Sequence, residues 1–284
     1  MKTLIVEQKD FPEKLKKIEN APKRLFYIGN IKLLYEDCFA IVGTRRITKY
    51  GIKICEKFSK EFALRDIPIV SGMAIGTDSI AHKNVLKYEG KTIAVLGSGL
   101  EKIYPQQNCN LFKEIIEKEG LILSEYDNNV PANKDNFPLR NRIVSAISEG
   151  VLVIEAAWRS GTTITANYAN KQGKLVFAIP GNLDSTYSQG VNILIKNGAM
   201  LTTSIEDILI NYPQFMNKKR KEEKQIKVKK EYKQIYKILE NGECTLEYLL
   251  NSTNLEIKEM LHILSNMEFE GIIFKEIGVY KLNE

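Results

Sequence analysis

The segment Phe137–Gly181, FPLRNRIVSAISEG followed by VLVIEAAWRSGTTITANYANKQG and KLVFAIPG, reads as helix, buried strand, glycine-containing loop, helix, buried strand. Val151 to Ile154 is one apolar, β-branched run and Lys174 to Ile179 is another, and Ser160-Gly161-Thr162-Thr163 opens the helical stretch between them. Short apolar runs without polar alternation suit strands covered on both faces. The segment is therefore a β-loop-α-β unit. Small residues and hydroxyls stand at its helix N-terminus, where free N–H groups and the helix dipole favour an anion. Just upstream, Lys134, Arg140 and Arg142 surround Phe137 near the start of the preceding helix. Cations beside an aromatic and an anion pocket suit the phosphates and bases of an unpaired nucleic-acid strand.

Working outward, the same pattern repeats. Phe39–Val42, Ile67–Val70, Thr92–Leu96 and Leu121–Ser124 are four earlier strands, and Met200–Thr203 gives a seventh. Helical stretches run to Leu64, from Thr77, over Leu111–Lys118 and over Ile205–Ile210. Strands alternating with helices predict an α/β fold, a doubly wound, Rossmann-like parallel sheet. Loops at Gly43, Gly72, Gly97 and Gly161 directly follow strands, so they share the carboxyl rim where ligands of such sheets sit. The expected anion ligands are Gly43-Thr44-Arg45, Ser71-Gly72, Gly97-Ser98 and Ser160-Gly161-Thr162. Gly43-Thr44-Arg45 lacks the second glycine of GxGxxG, and Ile103 stands near the third-glycine position after Gly97-Ser98-Gly99, so no dinucleotide or other cofactor is expected. Thr77 and Asp78 are expected to cap their helix, and His82 to pack inside.

The 284 residues divide into a lead-in covering one edge (1–38), the body (39–212), a basic linker (213–230) and a tail domain (231–284). Residues 218–230 carry eight cations and two anions, whereas 231–284 carry ten acidic and five basic side chains. The body and linker can thus meet polyanions, and the tail should repel them. In the tail, Tyr232, Ile235, Tyr236 and Leu239 form one helical stripe, two further helices follow, and Ile272–Leu282 reads as a hairpin: a winged helix. Its third helix holds Glu256, Glu259, Glu268 and Glu270 against Lys258, which favours a protein-contact or regulatory role over groove reading. Cys38, Cys55, Cys109 and Cys244 form no CxxC pair, and His82 and His262 are the only histidines, so disulfides and metal sites are not expected. No signal peptide or run near the ~18 apolar residues of a membrane helix is seen, which points to a cytoplasmic protein.

Further motifs carry a family likeness. Gly43-Thr44-Arg45, Ser71-Gly72-Met73-Ala74, Gly76-Thr77-Asp78, Ala81-His82, Leu96-Gly97-Ser98-Gly99, Tyr104-Pro105 and Leu123-Ser124-Glu125-Tyr126 resemble those of the DprA (Smf) family. So do Phe137-Pro138-Leu139-Arg140-Asn141-Arg142, Glu155-Ala156, Arg159-Ser160-Gly161-Thr162 and Phe177-Ala178-Ile179-Pro180-Gly181, a likeness spanning roughly residues 10–210. The resemblance implies a non-enzymatic, homodimeric protein that binds single-stranded DNA and loads RecA recombinase in natural transformation. It places the DNA-contacting arginine at Arg45, the lysine at Lys134 and the pocket aromatic at Phe137, with Arg140-Asn141-Arg142 lining the same groove. The competing expectation is a nucleotide-processing enzyme, because the body also resembles phosphoribohydrolases with a PGGxGTxxE loop. Aligning Gly161-Thr162 puts Thr165 where that loop has its catalytic glutamate, which argues against hydrolysis.

Overall fold

The apolar runs become the middle of a nine-stranded sheet. In the computed structural model, which describes residues 2–5, 11–221, 229–253 and 255–282, the strands are β1 (Lys2–Ile5), β2 (Arg24–Gly29), β3 (Cys38–Val42), β4 (Ile69–Ser71), β5 (Thr92–Leu96), β6 (Leu121–Ser124), β7 (Ser148–Val153), β8 (Leu175–Ala178) and β9 (Met200–Leu201). Their order is β1-β2-β6-β5-β4-β3-β7-β8-β9. From β6 through to β9 every neighbouring pair is parallel. Helices α1 (Glu13–Lys16), α2 (Lys49–Leu64), α3 (Thr77–Lys87), α4 (Cys109–Glu117), α5 (Asn136–Ile147), α6 (Gly161–Lys171), α7 (Gln189–Lys196), α8 (Glu206–Leu209) and α9 (Pro213–Met216) complete this unit.

The double winding can be read in β3. Ala40 and Val42 share a core with Ile143 and Ile147 of α5 and Ala166 and Ala169 of α6. Phe39 and Ile41 share the opposite one with Phe58 and Phe62 of α2 and Ala81 and Val85 of α3. Alternate side chains of a strand point to opposite faces, so both must be apolar when helices cover both. The order reverses between β3 and β7, and the crevice at their carboxyl ends is the topological switch point.

Three expectations need correction. The lead-in does more than cover an edge: β2 pairs antiparallel with β6, and β1 antiparallel with β2, so it extends the sheet. The linker does not begin at 213: Phe215 is fully buried in the body core, Arg220 pairs with Glu61 at 3.1 Å and Lys221 with Asp66 at 2.5 Å. Residues 222–228 of the expected linker lie outside the described residues. Asp78 does not cap α3. Its carboxylate turns back to accept from the Gly72 and Ala74 amides at 3.2 and 3.3 Å, and the N-cap position belongs to Gly76, without a side-chain cap.

The chain divides into two compact units at Glu222/Glu223. In the second, α10 (Lys233–Leu239), β10 (Cys244–Thr245), α11 (Leu246–Ser252), α12 (Ile257–Phe269), β11 (Ile273–Glu276) and β12 (Val279–Leu282) form a winged helix with an antiparallel sheet in the order β10-β12-β11. The strand β10 adds a third member to the expected hairpin. Ile235, Leu239, Leu249, Met260, Leu264, Met267 and Ile273 are its buried core. Among the described residues no helix is long and apolar enough to cross a membrane, and no group of three or more His, Cys, Asp or Glu could hold a metal ion.

Candidate nucleic-acid interface

The rim loops converge as their position after parallel strands requires, and a cavity of about 1110 Å³ opens over the ends of β4 and β5. Arg45, Lys102, Tyr104, Cys109 and Phe137 are among its lining residues. Arg45 follows β3 in a loop pinned from two sides. The Arg46 amide donates to Thr44 Oγ1 at 3.1 Å, and Thr77 Oγ1 donates to the Thr44 carbonyl at 3.2 Å. From this loop the Arg45 guanidinium stands 5.2 Å from the centroid of the Phe137 ring.

Phe137 sits in the first turn of α5, held against the end of β5. A Cβ on Gly97 would lie 2.8 Å from the ring, so glycine there is a matter of close approach. Asn136 Nδ2 donates to the Gly97 carbonyl at 3.2 Å and fixes the helix start over the strand. Tyr104, 49% exposed, brings its ring centroid 5.6 Å from that of Phe137 at an interplanar angle of 42°. Two aromatics and a guanidinium thus border the open cavity, a geometry that accepts a flat ring. Tyr104 entered the sequence reading only as part of the Tyr104-Pro105 motif and Lys102 not at all, because both sit in an irregular loop with no periodicity to assign them a role at the site.

Lys134 is exposed in the turn before α5 and lies outside the cavity lining. Arg45, Arg46, Lys102, Lys134 and Arg159 have no carboxylate within ion-pair distance among the described residues. Such cations remain available to an external anion.

Arg140 and Arg142 face inward, contrary to the expectation that they line a groove. Arg140 is 4% exposed. Its Nη1 donates to the Gly72 carbonyl at 2.5 Å and to the Val95 carbonyl. Burial pulls its pKa down to about 10, with Asp78 opposing that fall. Asp78 is itself pushed up by burial, against the pull of Arg140 and the loop amides. A Cβ on Gly72 would meet both side chains, at 2.6 Å from the guanidinium and 2.7 Å from the carboxylate. Arg142 is clamped on Glu125 at 2.7 and 2.8 Å and donates to the Asn20 and Leu139 carbonyls. Both arginines are rivets between loops. Asn141 between them is half-buried, and its Nδ2 donates to the Gly161 carbonyl at 3.3 Å.

The glycine loops also divide. Ser71, Gly72, Gly97 and Ser98 are buried, with Ser71 Oγ donating to the Ile41 carbonyl at 2.7 Å, and Gly43 rests on Thr77. The protein's own side chains fill those three loops, so they are not open cradles for a phosphate. The fourth differs: Gly161 is exposed with open space where a Cβ would point, while Ser160 Oγ, like Ser98 Oγ in the third loop, has no hydrogen-bond partner among the described residues. Thr162 is buried behind it at 7% exposure.

At the switch point, Glu155 and Thr48 line a second cavity of about 560 Å³ together with Tyr50, Gly181 and Ser188. Its Oε1 accepts from Thr48 Oγ1 at 2.6 Å and its Oε2 from the Thr48 amide at 2.9 Å. Thr48 is the N-cap of α2, so this carboxylate occupies the helix terminus where a pyrophosphate would otherwise lie. His82 packs as expected, buried, with Nδ1 2.7 Å from Thr92 Oγ1.

Fold and rim together define a Rossmann-like α/β protein whose switch-point helix terminus is held by a carboxylate of its own. The family model of DNA recombination-mediator protein A matches residues 2–213, and the chain belongs to that family. It is 43% identical over 202 residues to the DNA processing protein DprA of Streptococcus pneumoniae, covering 71% of each chain. Identity to Protein Smf of Escherichia coli is 42% over 201 residues, which is 71% of this chain but only 54% of that relative. Among solved structures, Streptococcus pneumoniae DprA aligns with a TM-score of 0.70 at 41% identity, covering 74% of this chain and 73% of its own. DNA processing protein A from Helicobacter pylori, solved for insight into its single-stranded DNA binding mode, aligns at 0.68 with 34% identity over 75% and 95%.

Proposed function

We propose that the chain is a single-stranded-DNA-binding protein of recombination that grips unpaired strands at the carboxyl rim and breaks no bonds. The observation that carries this is Arg45 over the Phe137 ring beside Tyr104, at the border of the cavity. A base can stack against this aromatic pair from the cavity side while Arg45 and the exposed lysines take phosphates, a combination indifferent to sequence and closed to paired bases. The relative from Helicobacter pylori, solved for insight into its single-stranded DNA binding mode, supports it. A non-enzymatic role is supported by how the rim carboxylates are used: Glu155 holds Thr48 and Glu125 holds Arg142. Thr165, at the position of the phosphoribohydrolase glutamate, is buried at 2% exposure.

The family resemblance extends the proposal. The protein acts in the cytoplasm as a homodimer and hands the bound strand to RecA recombinase, in natural transformation where the host takes up DNA. The deciding experiment is a gel-shift titration with single- and double-stranded oligonucleotides of equal length, on the parent and on Phe137→Ala. Preference for the single strand, weakened about tenfold by the substitution, is expected. Equal affinity for both forms, or release of free base from a nucleoside monophosphate, would overturn it.

A further inference from the structure

Trp158 is the chain's single tryptophan, and it stands 53% exposed in the loop between β7 and α6. Tryptophan is highly buried on average, so a half-open one on a ligand-bearing rim is informative. The Arg159 guanidinium lies 5.7 Å from the centroid of its ring, repeating the Arg45–Phe137 pairing. Arg159 takes a left-handed backbone conformation, φ 52°, which residues other than glycine visit rarely. It has no carboxylate partner among the described residues.

The loop is tied to the helix that carries Phe137. Asn141, one turn after Phe137, donates to the Gly161 carbonyl at 3.3 Å. One helical turn is ~5.4 Å, and the three residues from Gly161 back to Trp158 reach at most ~11 Å. Both aromatic–cation pairs therefore share one rim within the span of a short strand.

We propose that Trp158, with Arg159 over its ring, is a second base-stacking platform for the single strand whose other base sits at Phe137. This rests on the single-strand reading above. The bases stack on the indole, and the guanidinium takes the adjoining phosphate.

The lone tryptophan makes the test direct. The full chain is titrated with oligo-dT while indole emission and the anisotropy of a labelled oligo are followed together. Emission should change in step with anisotropy. Trp158→Ala should weaken binding about tenfold with an unchanged salt slope, since stacking releases no counterions, and Trp158→Phe should restore most of the loss. Arg159→Ala should flatten the slope by about 0.7. An oligo that binds the parent while the indole stays silent, with Trp158→Ala binding as the parent, overturns the platform and leaves the single-strand reading intact. An emission shift on concentrating the protein alone, insensitive to oligo, would place Trp158 between two copies and also overturn it. No anisotropy change with the parent sinks the single-strand reading and the platform with it.

Discussion

The Arg140 guanidinium and the Asp78 carboxylate converge on the space that a side chain at Gly72 would fill, both shut from solvent. Two buried charges of opposite sign hold the β4 loop to α5, and the loss of one strands the other. Arg140→Met should cost about 1–3 kcal/mol for each of the buried Gly72 and Val95 carbonyls left without its donor, and Asp78 loses its neighbouring cation. The denaturant midpoint measures this. A variant that unfolds like the parent yet fails to bind oligonucleotide would put Arg140 back in the groove.

Arg45 and Lys134 are exposed and have no carboxylate partner among the described residues, so they should act on ligand instead of on the fold. Arg45→Ala and Lys134→Ala should each reduce the slope of log K against log salt by about 0.7, with midpoints of unfolding within ~0.5 kcal/mol of the parent. Arg45 should lose more affinity than Lys134, because it also covers the Phe137 ring.

Gly97→Ala would place a methyl 2.8 Å from the Phe137 ring and tilt it out of its notch. Weaker binding of oligo-dT with a loss of ~1–3 kcal/mol in stability is expected, as for other overpacked sites. Wild-type affinity would mean that the ring's seating is irrelevant to the ligand.

His82 sets an acid limb. Thr92 Oγ1 gives its proton to the Ile69 carbonyl, so it accepts from His82 Nδ1–H, and Nε2 is left without a partner. Burial, with Arg140 adding to it, lowers the His82 pKa to about 3. The unfolded chain takes up this proton near pH ~6.5 and the folded one does not. The stabilisation is complete above that pH and is lost on acidification at up to ~1.4 kcal/mol per unit down to the folded value. His82→Gln should flatten the fall in urea midpoint between neutrality and about two units below.

The four thiols should separate cleanly. Burial pushes Cys38 up to about 12 and raises Cys55 as well, so a thiol reagent on the native protein should label Cys109 and Cys244 first. Cys109 lines the cavity, and saturating oligo-dT should slow its labelling but not that of Cys244. Equal rates with and without oligo would place the ligand elsewhere.

Strands β3 to β8 were legible because burial on both faces demands unbroken apolar runs. The pair β1 and β2 was not: Arg24–Gly29 has exposed ends and only Leu25 and Phe26 buried, and its partner β6 lies far along the chain. Phe137 and Arg45 were legible as an aromatic and a cation beside rim loops. The burial of Arg140 and Arg142 was not, since a charged residue on a helix reads as surface until its carbonyl and carboxylate partners, from four other segments, are brought to it. The place of Tyr104 beside Phe137 escaped for a similar reason, being set by a loop.

Glu155 on Thr48 has a consequence for the whole scaffold. Rossmann-like proteins commonly leave this helix end for a removable guest, and without the guest a positive dipole is left unanswered. Here the chain brings a permanent tenant of its own. Its body should arrive at full rigidity straight from folding, with no small molecule to wait for, and free nucleotides or dinucleotides should leave its melting temperature where it was.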